Sequence, residues 1–194
     1  MGKLLGYKIG TPYHFWGGYS PDGYEGIGTY FMWPLNEEES CLFKKALTPD
    51  QQNAFLIQGE LPNDILVQSL VKSIDYIAAY KKFCDHRNYH TTIFAFGTGR
   101  LSLQDMPGIQ SAEFLGFDCL GSDGLSSYLY WDAGWQSFQK EIEQNQIHFN
   151  QNQLFLTEED ARKYAFIRRS LLVQGINIEE MGEEIIVSIT KVRL

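Results

Sequence analysis

The sequence predicts a single α+β domain, residues 1–194, in which two main helices pack on a largely antiparallel sheet. Apolar residues recur at spacings of three and four over about residues 64–85, as they do on one face of a helix. A second helical segment, about 157–173, begins with acids and has Arg168 and Arg169 near its end, which suits the helix dipole. Short segments rich in β-branched and aromatic residues lie between turn signals and predict strands.

Local patterns predict the remaining elements. The predicted strands are residues 3–9, 27–33, 91–96, 113–120 and 184–192. A short helix is expected after Thr48, because Thr48 can cap it, Pro49 fits its first position and Gln51 can complete a capping box. Glu37–Glu39 is predicted as a polar loop, and residues 125–138 fit either a strand or a helix.

Composition excludes several classes of protein. The net charge of −8 and the pI near 5 argue against a general nucleic-acid binder. No apolar run is long enough to predict a membrane span, and the N-terminus does not resemble a secretory signal. The three cysteines, Cys41, Cys84 and Cys119, are few, odd in number and far apart, so we expect a cytoplasmic protein without a disulfide framework.

The negative charge is concentrated in one stretch. Between Arg100 and Arg162 lie 61 residues with ten acids and a single base, Lys140, which gives this stretch a charge of −9. The stretch also holds nine aromatic residues. Acids beside exposed aromatics suit a basic protein partner and repel nucleic acid and anionic lipid. We therefore expect a protein partner and neither nucleic-acid nor membrane binding.

The most acidic and aromatic part of this stretch supplies the candidate partner-binding surface. Carboxylates would steer a basic partner, and aromatic side chains would anchor it. The predicted residues are Asp118, Asp123, Tyr128, Tyr130, Trp131, Asp132 and Trp135, with Glu37, Glu38 and Glu39 as a second choice. A solvated acidic face over an ordinary core explains the same pattern.

Four motifs with possible chemistry have simpler structural explanations. His86 and His90 have helical metal-ligand spacing but no obvious third ligand. Cys119 could be a nucleophile, although its alternation with Phe117 predicts a buried, inert side chain. Gly97–Arg100 lacks the lysine and third glycine of nucleotide-binding loops. The acids Asp118, Asp123 and Asp132 lie near turns, where they are usually solvated. No catalytic residue, metal or cofactor is assigned.

Two segments carry a family resemblance. Glu113-Phe114-Leu115-Gly116-Phe117-Asp118, then a turn, then Leu125-Ser126-Ser127-Tyr128-Leu129, resembles a pattern in small bacterial immunity proteins of polymorphic and contact-dependent toxin systems. No individual family is assigned. The resemblance implies a cytoplasmic inhibitor of one cognate toxin, and it transfers no site residue. The acidic, aromatic-rich composition would itself suit a toxin with a basic nucleic-acid groove, such as a nuclease.

Two other functions remain open. One is a small hydrolase or transferase with an unrecognised active site, which a cleft joining Asp118, Cys119 and a histidine would favour. The other is a structural module that forms homo-oligomers through its final strand, which an exposed edge at residues 185–189 would favour. The sequence does not predict an oligomeric state.

Overall fold

Four long strands and one two-residue strand form an antiparallel sheet. The computed structural model describes residues 2–12, 30–31, 37–57, 70–88, 91–120, 139–151, 154–173 and 184–194. The strands are β1 (Lys3–Pro12), β2 (Tyr30–Phe31), β3 (Thr92–Thr98), β4 (Ser111–Leu120) and β5 (Ile185–Arg193). Their order is β2-β1-β3-β5-β4, and every neighbouring pair is antiparallel. This architecture confirms the predicted α+β class.

Five helices are seen in the described ranges. They are α1 (Glu37–Ala46), α2 (Pro49–Ile57), α3 (Ile74–His86), α4 (Gln139–Gln144) and α5 (Glu158–Val173). A short 3₁₀ turn, Leu103–Asp105, follows β3. The helices pack on one face of the sheet, and the pairing of residues between the strands identifies the side chains on that face.

Register places two groups of core residues on that face. Ile93 pairs with Val192, and Cys119 pairs with Ile186. Val192 and Ile186 are six residues apart on β5, so all four side chains point the same way. Helices α1, α2 and α3 cover the β1–β3 part of this face, and α5 covers the β4–β5 part. The opposite face carries a third buried cluster: Phe94, Phe96, Leu115, Leu120, Leu154, Val187 and Ile189.

The final strand lies inside the sheet. β5 pairs with β3 on one side and β4 on the other, and Val187 and Ile189 are almost completely buried. An oligomer formed through an exposed β5 edge is therefore excluded. The structural-module hypothesis loses the feature that would have favoured it.

Helix α5 confirms the prediction of a helix at about 157–173. The Thr157 hydroxyl accepts a hydrogen bond from the Asp160 N–H at 3.0 Å and donates one to the Asp160 carboxylate at 2.6 Å. The capping box of α2 is also confirmed, because Thr48 Oγ1 accepts from the Gln51 N–H and Gln51 Oε1 accepts from the Thr48 N–H. The capping box at Thr48 and the acidic first turn after Thr157 were sufficient signals for these two helices.

The other main helix begins later than predicted. The prediction was about 64–85, but α3 begins at Ile74, and the Ser73 hydroxyl caps it by accepting from the Tyr76 N–H. Val71 instead forms an antiparallel bridge with Tyr7, with two backbone hydrogen bonds of 2.7 and 3.0 Å. Residues 64–69 lie outside the described ranges. The apolar repeat was misleading because Val71 is buried beside a strand.

Residues 37–39 also differ from their prediction. They form the first turn of α1, so the predicted polar loop is wrong. Helix α1 is stabilised by packing, because the ring of Phe43 is buried against the rings of Tyr76, Tyr80 and Phe83, with ring centroids 5.3–5.5 Å apart. Such tertiary contacts stabilise helices that are marginal on their own.

We expect Gly116→Ala to destabilise the fold more than Gly108→Ala. Both glycines have positive φ, 147° and 87°, so alanine at either position is strained by roughly 1–3 kcal/mol. A Cβ at Gly116 would also lie 2.6 Å from Leu154 Cβ, which adds about 1–3 kcal/mol of overpacking. At Gly108 the nearest atom would be 3.6 Å away. Urea titration measures both free energies of unfolding, and equal losses would contradict this account of the close packing at Gly116.

Candidate functional site

Charged side chains and a thiol meet where β4 ends and β5 begins. Asp118 and Cys119 are near the C-terminal end of β4, and Glu184 immediately precedes β5. Arg168 and Arg169 are on α5. The antiparallel pairing of β4 with β5 places Cys119 opposite Ile186, close in sequence to Glu184. We call these five residues the polar cluster.

Asp118 lies in the interior rather than on the surface. It is 2% exposed, and its carboxylate accepts a hydrogen bond from the Cys119 N–H at 2.7 Å. It pairs with Val187 in the sheet. Every residue from Leu115 to Leu120 is buried, so both faces of β4 are covered here. Asp118 is therefore removed from the candidate partner-binding surface.

The sequence patterns did not predict that two charged residues of the polar cluster, Arg168 and Glu184, lie in the interior. Arg168 is 1% exposed, and the Glu184 side chain is almost fully buried while it accepts a hydrogen bond from the Arg169 guanidinium. The position of Arg168 on the helix could have predicted its burial. Arg168 lies three and four residues after Ala165 and Tyr164, which are buried on the core face of α5.

The environment of Cys119 makes its thiol a poor nucleophile. Burial is the main cause of the raised pKa of this thiol, and the negative charges of Asp118 and Glu184 raise it further. Arg168 and Arg169 oppose this shift only in part. The thiolate is the reactive form, so Cys119 is inert at neutral pH. The prediction that Cys119 is a buried hydrophobic residue is confirmed.

The histidines of the described ranges do not complete a catalytic pair with Cys119. The charged groups that influence its thiol are acids and arginines, with no described histidine among them. His86 Nδ1 lies 2.7 Å from the Lys82 carbonyl oxygen at the end of α3. His148 is exposed and lies 3.7 Å from the Asp160 carboxylate. Those contacts fit helix ends rather than proton transfer to a thiol.

The glycine-rich loop and the suggested metal pair also have structural explanations or lack support. The Ser188 hydroxyl is within hydrogen-bonding distance of the Gly97 and Gly99 carbonyl oxygens, at 3.2 and 2.6 Å, which fixes the tight loop after β3. The Arg100 guanidinium lies over the Phe114 ring, 4.6 Å from its centroid. His90, the second half of the suggested metal pair, is outside the described ranges. Within those ranges, no three metal-ligating side chains form a group.

A shallow groove lies between α2 and α3. It is lined by four apolar and four polar residues: Ala54, Phe55, Ala78, Ala79, Asp50, Gln51, Asp75 and Lys82. Asp50 and Asp75 belong to the first turns of their helices, where acids stabilise the positive end of the dipole. Among the described residues that line the groove there is no thiol, histidine or hydroxyl suited to nucleophilic catalysis.

Most of the predicted partner-binding surface falls on residues that the structure does not describe. These residues are Asp123, Tyr128, Tyr130, Trp131, Asp132 and Trp135. The second choice, Glu37, Glu38 and Glu39, forms the start of α1. Elsewhere in the acidic stretch, Glu113, Glu143 and Glu159 are exposed, whereas Asp160 is buried as part of the α5 cap.

Comparisons with protein-family models, with curated proteins and with solved structures found no match. Among the described helices, none is both long and apolar enough to cross a lipid bilayer.

We expect one cysteine to react quickly with Ellman's reagent in the native protein. Cys41 is exposed, whereas Cys84 and Cys119 are buried. Two further thiols should react only after denaturation, because both are shielded and the pKa of Cys119 is raised. Cys41→Ser should abolish the fast reaction. A fast thiol that remains in this variant would show that a buried cysteine is reactive.

Alkaline pH should destabilise the protein through Cys119. The unfolded thiol ionises near pH 8.5, whereas the folded thiol retains its proton because its pKa is raised. The unfolded state therefore binds fewer protons above that pH, and the free energy of unfolding falls as pH rises. Cys119→Ala should show a shallower fall between about pH 8 and pH 10. Exposed Cys41→Ala is the matched control, and parallel slopes for wild type and Cys119→Ala would contradict the assignment.

Proposed function

We propose that this protein is a non-catalytic binding protein of the bacterial immunity type, which neutralises a cognate basic toxin domain. The distribution of charge along the chain carries this proposal. The 61 residues between Arg100 and Arg162 carry ten acids and one base, so the other 133 residues carry 14 acids and 15 bases. All of the net negative charge therefore belongs to one stretch, as expected for a surface that selects a cation-rich partner.

The described elements support an acidic surface drawn from several places in this stretch. Glu113 on β4 and Glu143 on α4 are exposed, whereas the exposed Glu159 on α5 pairs with Lys163 and adds little to this surface. Asp118 and Asp160 are buried and do not offer carboxylates to a partner. The proposed contacts are the remaining predicted residues: Asp123, Tyr128, Tyr130, Trp131, Asp132 and Trp135.

The proposed mechanism is occlusion. Long-range attraction brings the two proteins together quickly, and aromatic side chains then exclude water from the contact. A nuclease is one target class that fits, because a groove that binds phosphates attracts carboxylates equally well. The resemblance of residues 113–129 to immunity proteins supports the same conclusion. The protonated, buried thiol of Cys119 supports a role that does not require catalysis.

Charge reversal of Asp123 and Asp132 should weaken the complex without unfolding the protein. The tagged wild-type protein is used to capture its partner from lysate of the native organism, and the partner is then produced alone. We expect a basic partner whose activity is inhibited stoichiometrically, and whose affinity falls as salt rises. Asp123→Lys with Asp132→Lys should reduce the affinity by roughly tenfold or more, since close charge pairs contribute above about 1.5 kcal/mol.

A matched variant separates local contacts from total charge. Asp50→Lys with Asp75→Lys makes the same change in net charge on α2 and α3, where both acids are exposed. Circular dichroism checks that all variants fold. If the two double variants have the same affinity for the partner, the assignment of Asp123 and Asp132 to the contact surface is wrong. If a captured partner is not inhibited, the immunity-type function is wrong.

A further inference from the structure

The outer side of α5 carries a regular line of four exposed residues. Arg162, Phe166, Arg169 and Val173 are spaced by four, three and four residues, so they lie along one side of the helix. Phe166 is 71% exposed and Val173 is 88% exposed. The side chains of Arg162 and Arg169 are 66% and 62% exposed. The line alternates cation and apolar group along its length.

The core of the protein does not require these apolar side chains. Helix α5 packs on the sheet through other residues: Ala161, Tyr164, Ala165 and Ile167. Phe166 and Val173 contribute nothing to that cluster, although they are two of the most exposed large hydrophobic residues in the described ranges. A single exposed apolar residue is ordinary, but two on one line with ordered arginines form a surface.

The two arginines are already neutralised within the chain. Arg162 pairs with Glu158 one helical turn earlier, and Arg169 pairs with Glu184, whose side chain is buried. The line therefore lacks the excess positive charge that a nucleic-acid or anionic lipid surface would require. The pairing also holds the guanidinium groups in place for contact with an aromatic ring.

We propose that this line is the contact surface for a second copy of the chain, with the two α5 helices antiparallel. A two-fold axis between Phe166 and Arg169 places each Phe166 against the partner's Arg169. It also places the stem of each Arg162 against the partner's Val173. No arginine then faces an arginine, and each pair occurs twice, as in an isologous interface. Arginine over an aromatic face is a favourable cation–π geometry.

The size and charge of the proposed contact define how it should behave. Helix α5 has 16 residues, a length of about 24 Å, so the interface is small and the dimer is weak. Two copies with a net charge of −8 each repel at long range, and added salt screens this repulsion. Moderate salt should therefore strengthen the dimer, whereas it should weaken the proposed complex with a basic toxin. The two proposals are independent and fail separately.

Sedimentation equilibrium of the full chain tests this proposal. Between about 10 μM and about 1 mM we expect a concentration-dependent dimer, as is typical for a small interface. Phe166→Asp should raise the dissociation constant roughly tenfold or more, because it removes the central aromatic group. Leu103→Asp is the matched control, since Leu103 is 48% exposed on the 3₁₀ turn, and it should dimerise like the wild type. A monomer throughout this range, or a dimer that Phe166→Asp leaves unchanged, overturns the proposal.

Disulfide cross-linking tests the antiparallel register. In a Cys41→Ser background, Arg162→Cys and Val173→Cys are produced as separate proteins. Mixing them under mild oxidation should give a disulfide between the two species, because position 162 faces position 173 of the partner. Neither protein should cross-link rapidly with itself. Rapid self-cross-linking of Val173→Cys would indicate parallel helices and overturn the arrangement.

Discussion

The placement of β5 between β3 and β4 is the constraint on which the rest of the structure depends. The last strand of the chain has backbone partners on both sides, so the sheet is complete only when the C-terminal residues are in place. Its residues alternate between the third buried cluster, at Val187 and Ile189, and the helix-covered face, at Ile186 and Val192. Since β5 is covered on both faces, β4 is paired along its whole length with a buried strand.

This placement accounts for the charges in the interior. Glu184 enters the sheet beside the end of β4, where Asp118 is also buried and α5 crosses with Arg168. A buried charge is expensive unless neighbouring groups compensate it. Acids and arginines occur together in the polar cluster, and this mixture is how the fold accommodates them. Removing one member of such a cluster generally costs more than the cluster contributes, because another charge is left uncompensated. Burial raises the pKa of the Cys119 thiol, and the same acids raise it further, so the thiol stays protonated at neutral pH.

Local signals in the sequence were sufficient for several elements and insufficient for others. The capping box at Thr48 identified the start of α2, the acids of its first turn identified α5, and β4 and β5 were found from strand-forming residues between turn signals, because these signals act within a few residues. The start of α3 was misplaced because Val71 fits an apolar helical repeat equally well, and only Tyr7, distant in sequence, pairs with it as a strand. Alternation also shows which residues share a face but not whether that face is covered. For that reason Asp118 was assigned to the surface, although the helical phase of Arg168 could have revealed a buried charge nearby.

Charge has two different roles in this chain, and the difference lies in pairing. On α5, Arg162 and Lys163 each pair with a glutamate four residues earlier, so the helix surface is nearly neutral. Exposed pairs of this kind contribute little to stability, roughly 0.3–0.5 kcal/mol each, but they hold long side chains in defined positions. An excess of carboxylates acts instead through its long-range field, over about 8–10 Å at moderate salt. A surface of paired charges therefore favours shape-dependent contact with a similar surface, whereas the excess of acids over bases between Arg100 and Thr157, before α5 begins, favours attraction of a cationic partner from a distance.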